Sequence, residues 1–167
     1  MAVKGGAESL LVAIISDTHR DHEVLNKIIH KVKSCNYILH LGDNIEDLQY
    51  IEDRTNKKII CMGVKGNCDY SNIVPSERIV DIEGHKIFMT HGHNYGVKID
   101  TCNIRRRAFE LNCTICLYGH TDVFEINEEN GSYLINPGSP SISRDGKRGF
   151  VIMEIRGEDV RACFVDI

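Results

Sequence analysis

Residues 10–44, LLVAIISDTHRDHEVLNKIIHKVKSCNYILHLGDN, decide the fold class. Leu10 to Ile15 is an unbroken apolar run that stops at Ser16-Asp17, the pattern of a strand buried on both faces. From Asp21 to Ser34 apolar residues return at Val24, Leu25, Ile28, Ile29 and Val32, the period of an amphipathic helix. Tyr37 to Leu41 is a second buried-type strand, stopped by Gly42-Asp43-Asn44. Strand, polar loop, helix and strand in that order join parallel neighbours, which a tight turn cannot connect.

Working outward, Ile45 to Asp53 reads as a short helix and Lys58 to Met62 as a third strand, which runs into the Gly-rich polar loop Gly63 to Asp69. Three strand–loop–helix passages in series predict a parallel sheet with crossover helices. After Pro75 the texture changes. Ile79–Ile82 and Lys86–Thr90 flank Glu83-Gly84-His85 as a hairpin, and a helix from Asp100 to Leu111 precedes a strand from Thr114 to Tyr118. Val123–Ile126, Tyr133–Ile135, Phe150–Ile155 and Val160–Val165 read as antiparallel strands, with turns at Asn130-Gly131 and Arg156-Gly157. No repeat, low-complexity tract or linker interrupts them. Residues 10–167 are therefore expected to form one domain with two packed sheets, and residues 1–9, with Gly5-Gly6, a disordered lead.

The composition narrows the function. Twenty Lys+Arg against 24 Asp+Glu leave a net charge of −4, without the basic face that stable nucleic-acid binding requires. A chain of 167 residues buries about 70% of its unfolded surface and needs no disulfide staples. No apolar stretch approaches the roughly 20 residues of a membrane span. Seven irregularly spaced cysteines and no signal-peptide pattern suit free thiols in a reducing cytoplasm. The strand pattern leaves a homo-oligomer open.

Five loops carry metal-competent side chains: Ser16-Asp17-Thr18-His19, Gly42-Asp43-Asn44, Gly66-Asn67-Cys68-Asp69, Thr90-His91-Gly92-His93 and Gly119-His120-Thr121-Asp122. They recur 24 to 29 residues apart, close to the roughly 30 residues of a βαβ unit, which places them on neighbouring strand ends at one edge of the sheet. Asp, His and Asn donors without thiolates suit Mn²⁺, Fe²⁺ or Zn²⁺ better than a structural zinc. Six or seven ligands exceed one tetrahedral site and suit two ions about 3.5–4 Å apart, bridged by a carboxylate. Asp43, on the middle strand of the series, is the natural bridge.

These blocks, in this order, resemble the signature motifs of the calcineurin-like metallophosphoesterases, and specifically the small single-domain bacterial and archaeal phosphodiesterases. Ile135-Asn136-Pro137-Gly138-Ser139 is similar to a further block of that subgroup. The resemblance runs from Leu10 to the C-terminus. It implies an α/β, four-layer α-β-β-α sandwich of two mixed sheets with a dinuclear site at one end. It also implies that Asp17 and His19 hold the first metal, that Asp43 bridges, and that Asn67, His91 and His120 hold the second. Two divalent ions are expected, Mn²⁺ first, with Fe²⁺, Ni²⁺ and Zn²⁺ as alternatives.

The chain departs from the family pattern at three positions. Asp122 stands where the last ligand is usually a second His, and as residue i+2 of an extended loop it is expected to face the site like His120 and to ligate the first metal directly or through a water. Arg20 replaces a usual Gly and places a cation near the phosphate, with a solvated side chain as the alternative. Cys68 replaces the His that in larger relatives is thought to protonate the leaving oxygen, so leaving groups of low pKa are favoured unless His93 substitutes.

Other polar residues have blander readings. His22, His30, His40 and His85 are read as structural, Cys113 and Cys116 as packing thiols, and Arg105-Arg106-Arg107 as a solvated helix face. The resulting expectation is a phosphodiesterase that attacks a small phosphodiester through a metal-bridging hydroxide. Asn67 and His93 contact the reacting phosphate, and Arg20 assists binding. The alternatives are a non-catalytic scaffold, like the small eukaryotic retromer subunit that this chain also resembles, and a phosphomonoesterase or nuclease.

Overall fold

None of the six residues of β1 (Leu10–Ile15) is polar, because both faces of the strand are covered: Val12 and Ile14 point between two sheets, Ala13 and Ile15 toward a helical layer. The computed structural model describes residues 8–167. The expected lead lies outside them except for Glu8 and Ser9, and Ser9 Oγ donates to Glu154.

Chain order is β1, α1 (His22–Lys31), β2 (Tyr37–His40), α2 (Glu46–Arg54), β3 (Ile60–Gly63), β4 (Glu77–Ile82), β5 (His85–Thr90), a 3-10 turn at His93–Tyr95, α3 (Cys102–Glu110), β6 (Ile115–Leu117), β7 (Phe124–Glu129), β8 (Ser132–Pro137), β9 (Gly149–Arg156) and β10 (Asp159–Asp166). One sheet runs β10-β9-β1-β2-β3, the other β4-β5-β6-β8-β7. β1 pairs parallel with β2 (Ile14 opposite Leu39), β2 parallel with β3, and β9 antiparallel with β1. In the second sheet β5-β6 and β6-β8 are parallel, whereas β4-β5 and β7-β8 are antiparallel. Both sheets are mixed.

Three apolar layers glue them. Between the sheets lie Ile14, Leu39, Val80, Ile87, Leu117 and Met153 with their neighbours. Leu25, Ile28 and Ile51 pack α1 and α2 onto the outer face of the first sheet, and Ile104 and Ala108 pack α3 onto the second. The result is the expected α-β-β-α sandwich. α1 starts where Asp21 accepts a hydrogen bond from Val24 N (3.1 Å), a side-chain N-cap.

The structure corrects the predicted topology in three places. The third strand is not followed by a helix: β3 is the edge of its sheet, and residues 64–76 carry the chain across to β4. β8 runs parallel to β6, although it also makes the predicted antiparallel hairpin with β7. The five loops do not share one sheet, because those after β1, β2 and β3 leave the first and those after β5 and β6 leave the second. The 24-residue step from Asn67 to His91 is thus a sheet change plus a hairpin, not a crossover. Buried apolar strands look alike whichever sheet takes them, so spacing alone could not separate the two.

Candidate metal centre

The five loops meet at one end of the sandwich. Ligand atoms of Asp43, His91 and His120 lie within 4.8 Å of one another, as do those of Asp17, His19 and Asp122. The two triplets adjoin: His91 Nε2 is 3.4 Å from Asp43 Oδ1 and 4.0 Å from Asp17 Oδ1. Each triplet draws residues from both sheets.

The backbone is bent unusually to achieve this. Among the described residues ten non-glycine residues have positive φ, and seven of them, Asp17, His19, Arg20, Asp43, Asn44, His120 and Asp122, lie in these loops. The other three, Glu83, Asn112 and Asn130, are in or beside simple turns. Left-handed backbone at a residue with a Cβ costs on the order of 1 kcal/mol and gathers at functional sites. It also corrects the expected shape of the last loop. The loop is not extended: His120 (φ 70°) and Asp122 (φ 57°) are both left-handed, and Asp122 lies with Asp17 and His19 while His120 lies with Asp43 and His91.

Hydrogen bonds then hold each donor. His91 Nδ1 donates to Leu41 O (2.8 Å), which leaves Nε2 facing the carboxylates, buried and without a hydrogen-bond partner among the described residues. Asp17 Oδ2 accepts from Ser16 Oγ (2.5 Å) and His120 N (3.1 Å). Asp43 Oδ1 accepts from Cys68 N (2.9 Å). The Asp69 carboxylate takes four backbone N–H groups, from Asp43, Asn44, Ile45 and Gly66, at 2.7–3.0 Å, and shapes the loop that presents Asp43. Gly66 must lack a side chain, because a Cβ there would stand 2.1 Å from Asp43 Oδ1.

His40, fully buried, donates from Nε2 to Thr18 Oγ1 (3.0 Å), whose hydroxyl in turn donates to Asp47 (2.6 Å); His40 Nδ1 accepts from Gly42 N (3.2 Å). It is the structural histidine expected. Asn136 Nδ2 donates to Gly119 O, and Ser139 Oγ donates to Asp17 O, so this block ties the first and last loops together.

Burial sets the protonation. It raises the Asp17 carboxyl to about 6, against the pull of His91. It would likewise raise Asp43, but His91 and the Cys68 amide hold that carboxyl well below its ordinary range. Burial would lower His91, and Asp43 and Asp17 outweigh it and push the imidazole up. His120 falls to about 4, through desolvation and the neighbouring His91. A divalent cation would take the place of the proton shared among these groups.

The donor set fits divalent ions. Three buried carboxylates, Asp17, Asp43 and Asp122, converge with His91, and Asp122 Oδ1 and His91 Nε2 are buried atoms without hydrogen-bond partners among the described residues. Asp122 Oδ2 accepts from Arg144 Nε (3.2 Å), whose side chain is largely exposed. His93 stands beside the imidazoles, its ring centroid 5.4 Å from that of His91 and 6.1 Å from that of His120, with Nδ1 buried and unpartnered.

One expected residue turns away from the donors and one stands exposed beside them. Asn67 is exposed in the loop whose Cys68 N–H donates to Asp43, its amide 3.4 Å from Cys68 Sγ. Arg20 does not face the donors: its guanidinium pairs with Glu46 at 3.2 Å in solvent, because its backbone N–H is fixed by Asp47. Cys113 and Cys116 are buried packing thiols, and all seven cysteines are unpaired. Arg107 on α3 pairs with Glu110 (3.7 Å) and with Glu77 (3.6 Å), which lies opposite Thr90 at the loop end of β4. Arg144, Asp47 and Asp69 were not singled out from sequence. Asp69 belonged to a quoted block, but Arg144 carries no local signal.

A model of the calcineurin-like phosphoesterase superfamily domain matches residues 10–158. A probable metallophosphoesterase from Methanothermobacter thermautotrophicus is 31% identical over 158 residues, 92% of this chain and 90% of that protein. Among solved structures, a novel archaeal phosphodiesterase superposes with a TM-score of 0.75 at 21% identity, over 93% of this chain and 100% of the other. Vacuolar protein sorting 29 from Cryptosporidium parvum gives 0.74 at 20% identity, over 95% and 98%. No helix among the described residues is long and apolar enough to cross a membrane.

Proposed function

Because the chain belongs to the calcineurin-like phosphoesterase superfamily, we propose that it is a metal-dependent phosphodiesterase acting on small diesters. The observation that carries the reading is the pair of adjoining triplets with unpartnered, inward-facing His91 Nε2 and Asp122 Oδ1. Asp17, His19 and Asp122 would hold one ion, and His91, His120 and Asn67 the other, with Asp43 shared. When bound, two divalent ions supply Lewis-acid charge to the phosphoryl oxygens and make water acidic enough to ionise near neutral pH.

The chain's own residues do the rest. Leu41 O fixes the His91 tautomer, and Ser16 and the His120 amide aim Asp17. Arg144 offsets the charge that Asp122 adds where an imidazole is usual. His93, beside the His91 and His120 rings with Nδ1 buried and unpartnered among the described residues, is the candidate to touch the phosphate. The Cys68 thiol is pushed above its ordinary pKa by desolvation and by Asp43, so it is a poor proton donor. Diesters with acidic leaving groups are therefore favoured.

Chelation should abolish hydrolysis of bis(p-nitrophenyl) phosphate, and Mn²⁺ should restore it. Turnover that survives thorough chelation refutes the reading. The scaffold alternative draws on the fold shared with vacuolar protein sorting 29. Asn67→Ala separates the two, because a phosphodiesterase loses turnover whereas a scaffold has none to lose.

A further inference from the structure

A cavity of about 450 Å³ opens beside the metal centre, where the edge strands β3 and β4 and helix α2 meet. Its near wall is Arg20, Cys68 and Asp69, the residues that flank or hold the candidate ligands His19 and Asp43. Its floor is apolar, with Leu48 and Met62 among the lining. Two features single it out. The Tyr70 side chain lines it and is fully exposed, an aromatic face that nothing among the described residues covers. Arg78, on the inward face of β4 with Val80 and Ile82, also lines it, and its Nε is buried without a hydrogen-bond partner among the described residues. A buried donor left unmatched favours any ligand that supplies an acceptor.

Resting on the phosphodiesterase reading, we propose that this cavity is the subsite for the nucleoside arm of a nucleotide diester. The volume lies within the range of small-molecule pockets. A planar base would stack on Tyr70, as bases do on exposed aromatic rings. A base carbonyl would accept from Arg78, and Gln49 on the exposed side of α2, whose amide nitrogen donates to Asp53 (2.8 Å), keeps its carbonyl oxygen for the base edge. The cavity's continuity with the loops at Cys68 and Asp69 lets the phosphate of the same molecule lie on the metal centre. The groove on the other flank, lined by Lys98, Ile99 and Arg144, is the competing site for this arm.

The test compares two diesters with the same leaving group on the Mn²⁺-loaded protein: methyl p-nitrophenyl phosphate and the p-nitrophenyl ester of thymidine 5'-monophosphate. The protein should prefer the nucleotide ester in kcat/KM. Tyr70→Ala and Arg78→Met should each cut that preference about tenfold, mainly through KM, and leave the methyl ester within about twofold. Ile99→Ser, in the opposite groove, should leave the preference intact. No preference in the parent protein, or its loss in Ile99→Ser alone, overturns the proposal. If neither ester is hydrolysed, the phosphodiesterase reading has failed, and titration with thymidine 5'-monophosphate then judges the cavity separately. Binding that Tyr70→Ala and Arg78→Met weaken supports the subsite, and absence of binding refutes it.

Discussion

Replacing Asp122 with Asn separates a metal ligand from a structural acid, because the two roles predict opposite changes in stability. Asp122 is buried, its Oδ2 bonded to Arg144 and its Oδ1 unpartnered, and its charge helps to raise the Asp17 carboxyl, behind the larger effect of burial. Asn keeps the shape and tolerates the left-handed backbone at this position, so the change removes charge and little else. Without metal, relief of three crowded carboxylates should raise stability by about 1 kcal/mol, because the exposed Arg144 side chain loses its partner cheaply.

With metal the sign reverses. Loss of even a supporting partner weakens metal affinity about 10–100-fold, and loss of a ligand should reach the upper end. At saturating metal a 100-fold weaker site forfeits about 2.7 kcal/mol of ligand stabilisation. For a domain of this size that is roughly 5–11 °C of Tm. The assay is thermal unfolding in chelator and in excess Mn²⁺, with metal content measured alongside. A variant less stable without metal, with an unchanged Mn²⁺-induced shift, would show that Asp122 serves only as the anchor of Arg144.

Three further changes test other parts of the argument. Gly66→Ala, which would place a Cβ 2.1 Å from Asp43 Oδ1, should displace that carboxylate and lower metal stoichiometry in elemental analysis, whereas Gly131→Ala, with open space around it, should not. Asp69→Ala leaves four backbone N–H groups without their acceptor and should cost about 3 kcal/mol or more by urea unfolding, with Asp69→Asn intermediate. Burial lowers His40 to about 4 in the fold against about 6.5 unfolded, so its contribution to stability is full above pH 6.5 and lost as pH falls toward 4. His40→Gln in chelator should therefore flatten the decline in unfolding free energy between pH 7 and 4.5, measured by urea unfolding, by about 2–3 kcal/mol, and an unchanged slope would contradict the neutral assignment.

The candidate site was legible because its chemistry lies in residue identity: Asp, His and Asn after apolar strands read the same whatever the connection. β1 and α1 were legible for a related reason, since Leu10–Ile15 and the Val24–Val32 periodicity leave one packing solution each. The sheet to which each strand belongs was not legible, because β5 and β6 bury both faces in either sheet. Nor was Arg144, whose role comes from a contact 22 residues away with no local signature. Arg20 shows the converse limit. Sequence left its charge either near the phosphate or in solvent, and the bond from its backbone to Asp47 and the ion pair with Glu46 hold it in solvent.

The division between sheets bears on function. In one triplet Asp43 comes from the first sheet and His91 and His120 from the second; in the other, Asp17 and His19 come from the first and Asp122 from the second. An ion at either triplet would therefore cross-link two sheets otherwise joined at this end by contacts such as Ser139 to Asp17 O and His91 to Leu41 O. Metal affinity and sheet packing are thereby linked quantities, since whatever binds only the assembled sandwich stabilises it by mass action. The strained loops fit the same logic. Seven left-handed residues are tolerable because inter-sheet hydrogen bonds over-determine the backbone around them. A cut in the inter-sheet core, such as Leu117→Ala, should thus weaken metal binding without touching a single donor.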